Sequence, residues 1–137
     1  MSTKTLGRMG EESAALFLKK NGYEILGRNV YIGHCEIDII AKNDTHLVFA
    51  EVKTRRAKPG IDTGYGRPAD AVNRRKQECL MTAARQYLHA HAGEYPTLIP
   101  NIDVIEVYAD PRSDVYHVLE IRHFKNAVNG MRGERFH

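Results

Sequence analysis

A short stretch near the middle of the chain, Leu47-Val48-Phe49-Ala50-Glu51-Val52-Lys53, brings together residue types suited to phosphate chemistry. In an extended strand, residues two apart share a face. Leu47, Phe49, Glu51 and Lys53 therefore line one face, and Val48, Ala50 and Val52 the other. Both faces are apolar until Glu51, which marks a central strand. A carboxylate and an ammonium at the end of such a strand require partners or a purpose. The preceding run, Cys35 to Ala41, reads as its neighbour, joined through Lys42-Asn43-Asp44-Thr45 in a hairpin connection. With the turn centred near Asn43 and Asp44, Asp38 falls opposite residues 49–51 and can reach Glu51, and period-2 alternation puts Glu36 on the face of Asp38. Two carboxylates a few ångströms apart repel unless a cation lies between them or one keeps its proton. Hard oxygen ligands suit Mg²⁺ or Mn²⁺. Lys53 could position a water or stabilise charge developing on a phosphate.

A Glu-x-Lys pair at a strand end is also a common solvated ion pair. Two features set this one apart: Asp38 across the hairpin, and the basic segment that follows. From Lys53 to Lys76 there are eight bases and only Asp62 and Asp70 to oppose them, a net +6 in a chain whose formal charge is +3. Arg55, Arg56, Lys58, Arg67, Arg74, Arg75 and Lys76 are candidate contacts to nucleic-acid phosphates; the alternative is a solvated charged face. Lys76 could instead belong to the rim of the active site. Tyr65, between Gly64 and Gly66, could stack on a splayed base or simply pack.

The elements that must position these residues can be read from the pattern. Ser2 or Thr3 caps a first helix to about Lys20, ended by Asn21-Gly22. Tyr23 to Ile32 reads as a strand with an irregularity near Gly27, and Gly33 as a turn. After Cys35–Ala41 and His46–Lys53, the segment from Thr54 to Pro68 reads as a glycine- and proline-rich loop. A long helix follows from about Ala69 to His91, with Val72, Leu80, Ala83, Ala84, Tyr87 and Leu88 at helical spacing. Strands are expected at Ile102–Val107 and Val115–Ile121, with a short helix around Phe124–Val128. The order helix, three strands, helix, two strands predicts a mixed α/β sandwich with helices packed on a central sheet.

Length bounds the rest: 137 residues make one domain, here expected over 1–128 with a flexible tail at 129–137. No apolar run is long enough to span a bilayer and no signal-peptide core is present, so a cytoplasmic protein with no membrane partner is expected. The two cysteines, Cys35 and Cys79, lack CxxC spacing, which excludes a zinc ribbon. A disulfide framework is not expected, and a free cysteine ordinarily packs as a small hydrophobe.

Asp38 followed by Glu51-Val52-Lys53 resembles the motif of the PD-(D/E)xK nuclease superfamily. Further likeness lies in Gly7, Gly10-Glu11, Ala14, Leu18, Gly22-Tyr23, Ile25-Leu26, Asn29, Glu36-Ile37-Asp38-Ile39-Ile40, Leu47-Val48-Phe49, Glu51-Val52-Lys53-Thr54-Arg55, Lys76 and Ile102-Asp103-Val104-Ile105. Over about residues 5–128 the chain resembles the bacterial YraN-like family, regarded as endonucleases related to archaeal Holliday-junction resolvases. The resemblance implies a restriction-endonuclease-like core. It also implies Asp38 and Glu51 as metal ligands, Lys53 as the catalytic lysine and Glu11 as a helical carboxylate near the metal. The family usually has glycine immediately before its Glu-Ile-Asp; here Cys35 stands there.

Helical spacing puts Glu11 at the border of the apolar side, where, the resemblance aside, a solvated carboxylate favoured by the helix dipole is the more usual reading. Glu36 could lie near the site, or form a salt bridge to Arg28 or to an arginine of the loop. Asp103 is expected to pair with a base. None of the seven histidines has chelating geometry. The leading expectation is an Mg²⁺- or Mn²⁺-dependent endonuclease in which Asp38, Glu51 and the main-chain carbonyl of Val52, with Glu11 through water, hold metal. DNA is expected ahead of RNA, and a two-fold symmetric branched substrate would call for a homodimer. The alternative is a nucleic-acid-binding accessory module with little or no cleavage.

Overall fold

The computed structural model describes residues 1–57 and 72–128. Two helices and five strands follow one another as α1 (Thr3–Lys20), β1 (Glu24–Ile32), β2 (Cys35–Lys42), β3 (His46–Arg56), α2 (Arg74–Ala90), β4 (Ile99–Ala109) and β5 (Val118–Val128). This is the expected order of a mixed α/β fold with helices on a central sheet.

The five strands form one sheet in the order β1-β2-β3-β4-β5. All neighbours are antiparallel except β3 and β4, which run parallel from His46↔Ile99 to Arg56↔Ala109. A parallel pair needs a crossover, and α2 lies within it. The central strand β3 is apolar on both faces because a helix covers each. Val48, Ala50 and Val52 pack with Ile39, Ile105 and Val107 against Ala14, Ala15 and Leu18 of α1. Leu47 and Phe49 pack with Ile40, Ile102 and Val104 against Leu80, Ala83, Ala84 and Leu88 of α2.

Capping fixes the helix starts. Ser2 Oγ accepts from Thr5 N at 3.1 Å, and Asn73 Oδ1 accepts from Lys76 N at 2.8 Å. The second helix therefore begins at Arg74, whereas apolar spacing placed its start near Ala69; of that difference only 72–73 fall within the described residues. The third strand runs to Arg56 because its parallel pairing with β4 continues beyond Lys53, so Thr54–Arg56 are strand and not loop. The fifth strand is also displaced. Phe124–Val128, expected as a helix, pairs with β4 through Ile102↔Val128 and Val104↔Phe124. Polar Lys125 and Asn126 hide the alternation, and a register shift between Ile102 and Val104 breaks its phase. Lys58, Tyr65, Arg67 and the tail at 129–137 lie outside the described residues.

Gly10 sets the distance between α1 and the sheet. A Cβ there would lie 2.9 Å from Thr54 Cβ and still nearer Thr54 Oγ1. Alanine normally improves a helix interior over glycine by roughly 0.5–1 kcal/mol. Here we predict the opposite: Gly10→Ala costs about 1–3 kcal/mol through overpacking. Thr54→Ala in the same chain should recover part of that loss. Urea denaturation of the single and double variants measures both, and a neutral or stabilising Gly10→Ala would show that α1 does not need this approach.

Candidate active site

Sheet pairing between β2 and β3 stops at Ile39↔Ala50. One residue further, the side chain of Asp38 replaces the strand: its Oδ2 accepts the main-chain N–H of Val52 at 2.8 Å. The two strands fork there. Side-chain alternation also slips at this point. Cys35 and Ile37 pack in the cluster under α2, but Ile39 and Ala41 pack under α1. Simple alternation, which would put Glu36 and Asp38 on one face, does not hold across the fork.

Inside the fork the Asp38 carboxyl lies within hydrogen-bonding reach of Glu51. Burial, followed by the hydrogen bond and negative charge of Glu51, pushes the Asp38 carboxyl up to about 8. The Val52 amide and the charge of Lys76 oppose this without overcoming it. At neutral pH Asp38 thus keeps its proton. Glu51 is only 6% exposed, and among the described residues its Oε2 has no hydrogen-bond partner. The nearest cation is Lys76 from α2, with Nζ 3.6 Å from that oxygen. Lys76 Nζ also donates to the main-chain carbonyl of Glu36 at 3.0 Å.

A second pair of acids lies beside the fork. Asn29 adopts a left-handed conformation, φ 49°, at the register position of β1 that faces Asp38. Its amide donates to Glu11 Oε1 at 2.6 Å and to Glu36 Oε1 at 2.9 Å. Asparagine tolerates this backbone better than most residues. Burial lifts the Glu11 carboxyl above its ordinary range; the Asn29 hydrogen bond opposes that, and the charges of Asp38 and Glu36 add to it. Glu12, the neighbouring acid, pairs instead with Arg28 at 2.8 Å.

Asp38 and Glu51 are thus brought together, with Glu11 at their border. Lys53 lies two residues beyond Glu51, half-buried, and on the same face by alternation. Lys76, expected as either a phosphate contact or a rim residue, stands at the rim. The other bases spread out. Arg55 is half-buried and pairs in register with Tyr108. Arg56 donates through Nη2 to the carbonyl of Ser113 at 3.1 Å, in the connection between β4 and β5. Arg74 is 93% exposed, near Glu78, and Arg75 is exposed as well. Asp103 lies elsewhere, under α1, accepting from the Asn126 N–H at 2.9 Å and paired with His123 at 2.7 Å.

Sequence reasoning gave Asn29 no chemical role and missed the cysteine pairing: Cys35 and Cys79 form a disulfide, with Cα atoms 5.7 Å apart. They are not separate hydrophobes. Their separation of 44 residues carries no pairing signal; only the antiparallel entry of β2 beneath α2 brings them together.

As a place for a metal ion, the fork offers two carboxylates, one with a buried oxygen lacking a hydrogen bond. Among the described residues no group of three His, Cys, Asp or Glu side chains converges as a cage. The donor set thus suits a hard cation that completes its shell with main-chain carbonyl and water, as Mg²⁺ commonly does.

The fork thus sets a half-buried Asp38 against a buried Glu51 at one end of the central strand, in a mixed sheet covered by one helix on each face. The chain belongs to the family described as "Uncharacterised protein family UPF0102", whose model matches residues 10–107. This is the YraN-like family that the sequence resembles. A UPF0102 protein of Caldicellulosiruptor saccharolyticus is 39% identical over 127 residues, covering 93% of this chain and 99% of the relative. One from Acetivibrio thermocellus is 41% identical over 125 residues, covering 90% and 91%. Another, from Syntrophotalea carbinolica, is 41% identical over 125 residues, covering 91% and 92%.

The protonated state of Asp38 has a consequence for stability. Its carboxyl is raised in the folded chain and near 3.9 when unfolded, so the folded state binds the extra proton between about pH 4 and pH 8. Its contribution to stability must therefore fall as pH rises through that window. Asp38→Asn mimics the neutral acid, and its amide can still donate to Glu51. We predict that the stability of Asp38→Asn relative to the parent grows between pH 5 and pH 8 by more than about 1 kcal/mol, roughly one pKa unit. Urea titrations at the two pH values test this; a constant difference would mean that Asp38 is ionised throughout.

Proposed function

We propose that this protein is a metal-dependent endonuclease acting on DNA, with Asp38, Glu51 and Lys53 at its centre and Glu11 at the border. The observation that carries the reading is the close approach of the Asp38 carboxyl to buried Glu51, whose Oε2 receives no hydrogen bond from any described N–H or hydroxyl group. A buried carboxylate oxygen left without a hydrogen bond is costly, and a site that binds a cation recovers that cost on loading. The resemblance to PD-(D/E)xK nucleases supports the same assignment.

Mg²⁺ or Mn²⁺, held by Asp38, Glu51, the Val52 carbonyl and, through water, Glu11, would supply positive charge for a scissile phosphate. Asp38 gives up its proton when the site is loaded, so cation affinity rises with pH. Lys53 directs a water at phosphorus and stabilises the negative charge that builds on the phosphate oxygens. Attack in line expels the 3′ oxygen, leaving a 5′-phosphate and a 3′-hydroxyl. Arg74 and Arg75, exposed on the first turn of α2 just before Lys76, would meet flanking phosphates. Arg55 and Arg56 are better suited to holding the end of β3. Among the described residues no helix is long and apolar enough to cross a membrane, and we place the protein in the cytoplasm. On a symmetric branched substrate it would act as a homodimer.

One observation favours a second reading. Lys76 already offers a positive charge to Glu51, as it would in an accessory module that binds nucleic acid without cutting it. Labelled duplex, single-stranded and branched DNA incubated with Mg²⁺ or Mn²⁺ separates the two: cleavage lost in Asp38→Ala supports the endonuclease, and binding without cleavage supports the module.

Three outcomes are expected. Free Mg²⁺ at 100 times its dissociation constant should stabilise the fold by about 2.7 kcal/mol, read as a rise in melting temperature that Asp38→Ala lacks. Lys53→Ala should lower turnover far more than affinity, because its role lies in the transition state. Arg74→Ala with Arg75→Ala should flatten the slope of log affinity against log salt by up to about two on duplex DNA, near 0.9 for each phosphate released. Binding in Ca²⁺ across several salt concentrations measures the last; an unchanged slope would move the nucleic acid to another surface.

A further inference from the structure

The disulfide sits next to the candidate site. Cys35 opens β2, one residue before Glu36 and three before Asp38. Cys79 lies one turn beyond Lys76 on α2, on the same side of the helix. The turn carrying Cys79 thus also delivers Lys76 to Glu51 Oε2, at 3.6 Å, and to the Glu36 carbonyl, at 3.0 Å.

Among the described residues, apolar contact brackets that turn and does not come from within it: Val72, just before the helix, is buried in the core. The buried residues of α2 are Leu80, Ala83, Ala84 and Leu88, all beyond Cys79. From Arg74 to Glu78 the helix is polar throughout. Between Val72 and Leu80, the covalent bond is therefore the tie that joins this polar turn to the start of β2. It is also reachable: Cys79 is half-buried and lines, with Cys35, Arg75 and His34, an open cleft of about 350 Å³. A small thiol or disulfide fits there.

We propose that Cys35 and Cys79 form a thiol–disulfide regulatory site that decides whether Lys76 stands against Glu51. A low-molecular-weight disulfide closes it. The Cys79 thiolate attacks one sulfur of that disulfide and expels one small thiolate. The Cys35 thiolate then displaces the second from the mixed disulfide. Two protein thiols are oxidised, the disulfide is reduced to two small thiols, and these take the two protons; two equivalents of small thiol reverse the sequence. In the disulfide form the Lys76 ammonium is fixed beside the carboxylate pair and opposes a divalent cation there, like charge against like. In the dithiol form the first turn of α2 is released, Lys76 withdraws and Glu51 is free to bind the cation. The clamp stands on the geometry alone; its effect on cation binding rests on the endonuclease reading above.

The full chain is equilibrated in oxidised and in reduced glutathione buffers, with thiol content fixed by alkylation and mass. Amide exchange at residues 78–80 should speed up about tenfold or more on reduction, while β3 and β4 amides hold. Calorimetry with Mg²⁺ alone should show about fivefold or more tighter binding in the reduced chain, a typical size for coupled sites. Lys76→Gln should bind Mg²⁺ equally in both states. Cys79→Ser should behave as reduced in either buffer. Equal exchange in the two states overturns the proposal. Altered exchange with equal Mg²⁺ affinity overturns the link to the carboxylate pair. Altered exchange with no Mg²⁺ binding in either state upholds the clamp and overturns the metal reading.

Discussion

Everything near the candidate site depends on one substitution of hydrogen-bonding partners. Where β2 leaves β3, the Val52 N–H pairs with the Asp38 carboxyl and not with a neighbouring main-chain carbonyl. A central strand cannot leave an N–H unpaired in the interior without a penalty of roughly 1–3 kcal/mol. The side chain pays it, and the strands are free to diverge. The same act draws Asp38 into the sheet, against Glu51, in surroundings where two ionised carboxylates cannot coexist. The fork, the proton on Asp38 and the buried Glu51 oxygen are consequences of a single geometry.

The two helices supply the rest from opposite faces. Gly10 lets α1 close on Thr54, and the next residue is Glu11, which Asn29 ties to Glu36. From the other face, α2 brings Lys76. Neither helix donates its apolar stripe to the site. The first anchors through residues further along and the second through Val72 before it and Leu80 beyond, and the polar turn nearest the fork is what reaches it. This division explains how a polar centre survives in a small domain: the packing of Leu18 on one side and of Leu80, Ala84 and Leu88 on the other lies away from the charges it supports.

Much of this was legible in the sequence. Alternation in Leu47–Lys53 identified the central strand, and the Asn43-Asp44 turn fixed a register in which Asp38 meets Glu51. Capping signals at Ser2 and Asn21-Gly22 bounded α1. What was not legible follows from interactions that leave no local mark. The second half of the last strand was read as a helix because Lys125 and Asn126 interrupt its pattern; Asn126 takes a positive φ and its N–H goes to the buried Asp103. The disulfide was lost because two cysteines 44 residues apart become neighbours only through the layering of α2 on β2. Asn29 gave no sign of its bridging role, which needs both its left-handed backbone and the slip of alternation at Asp38.

The hardest distinction from sequence alone is between acids that support the fold and acids that perform chemistry. Three acids are buried among the described residues: Asp103 at 0%, Glu51 at 6% and Glu106 at 7% exposed. Each lies in an apolar-rich strand and each looks anomalous by composition. Their partners separate them. Asp103 has both oxygens engaged, by His123 and by the Asn126 N–H; Glu106 accepts from the Tyr108 hydroxyl at 3.0 Å. Asp103, with both oxygens engaged, rigidifies its surroundings and has no capacity left for a ligand. Glu51 differs: no described N–H or hydroxyl group donates to its Oε2, the Lys76 ammonium lies 3.6 Å away, and the Asp38 carboxyl is within hydrogen-bonding reach. Unspent hydrogen-bonding and charge capacity, in a place where leaving it unspent costs stability, is what a binding site requires, and among these three acids Glu51 is the one with a fully buried oxygen that no described N–H or hydroxyl group reaches.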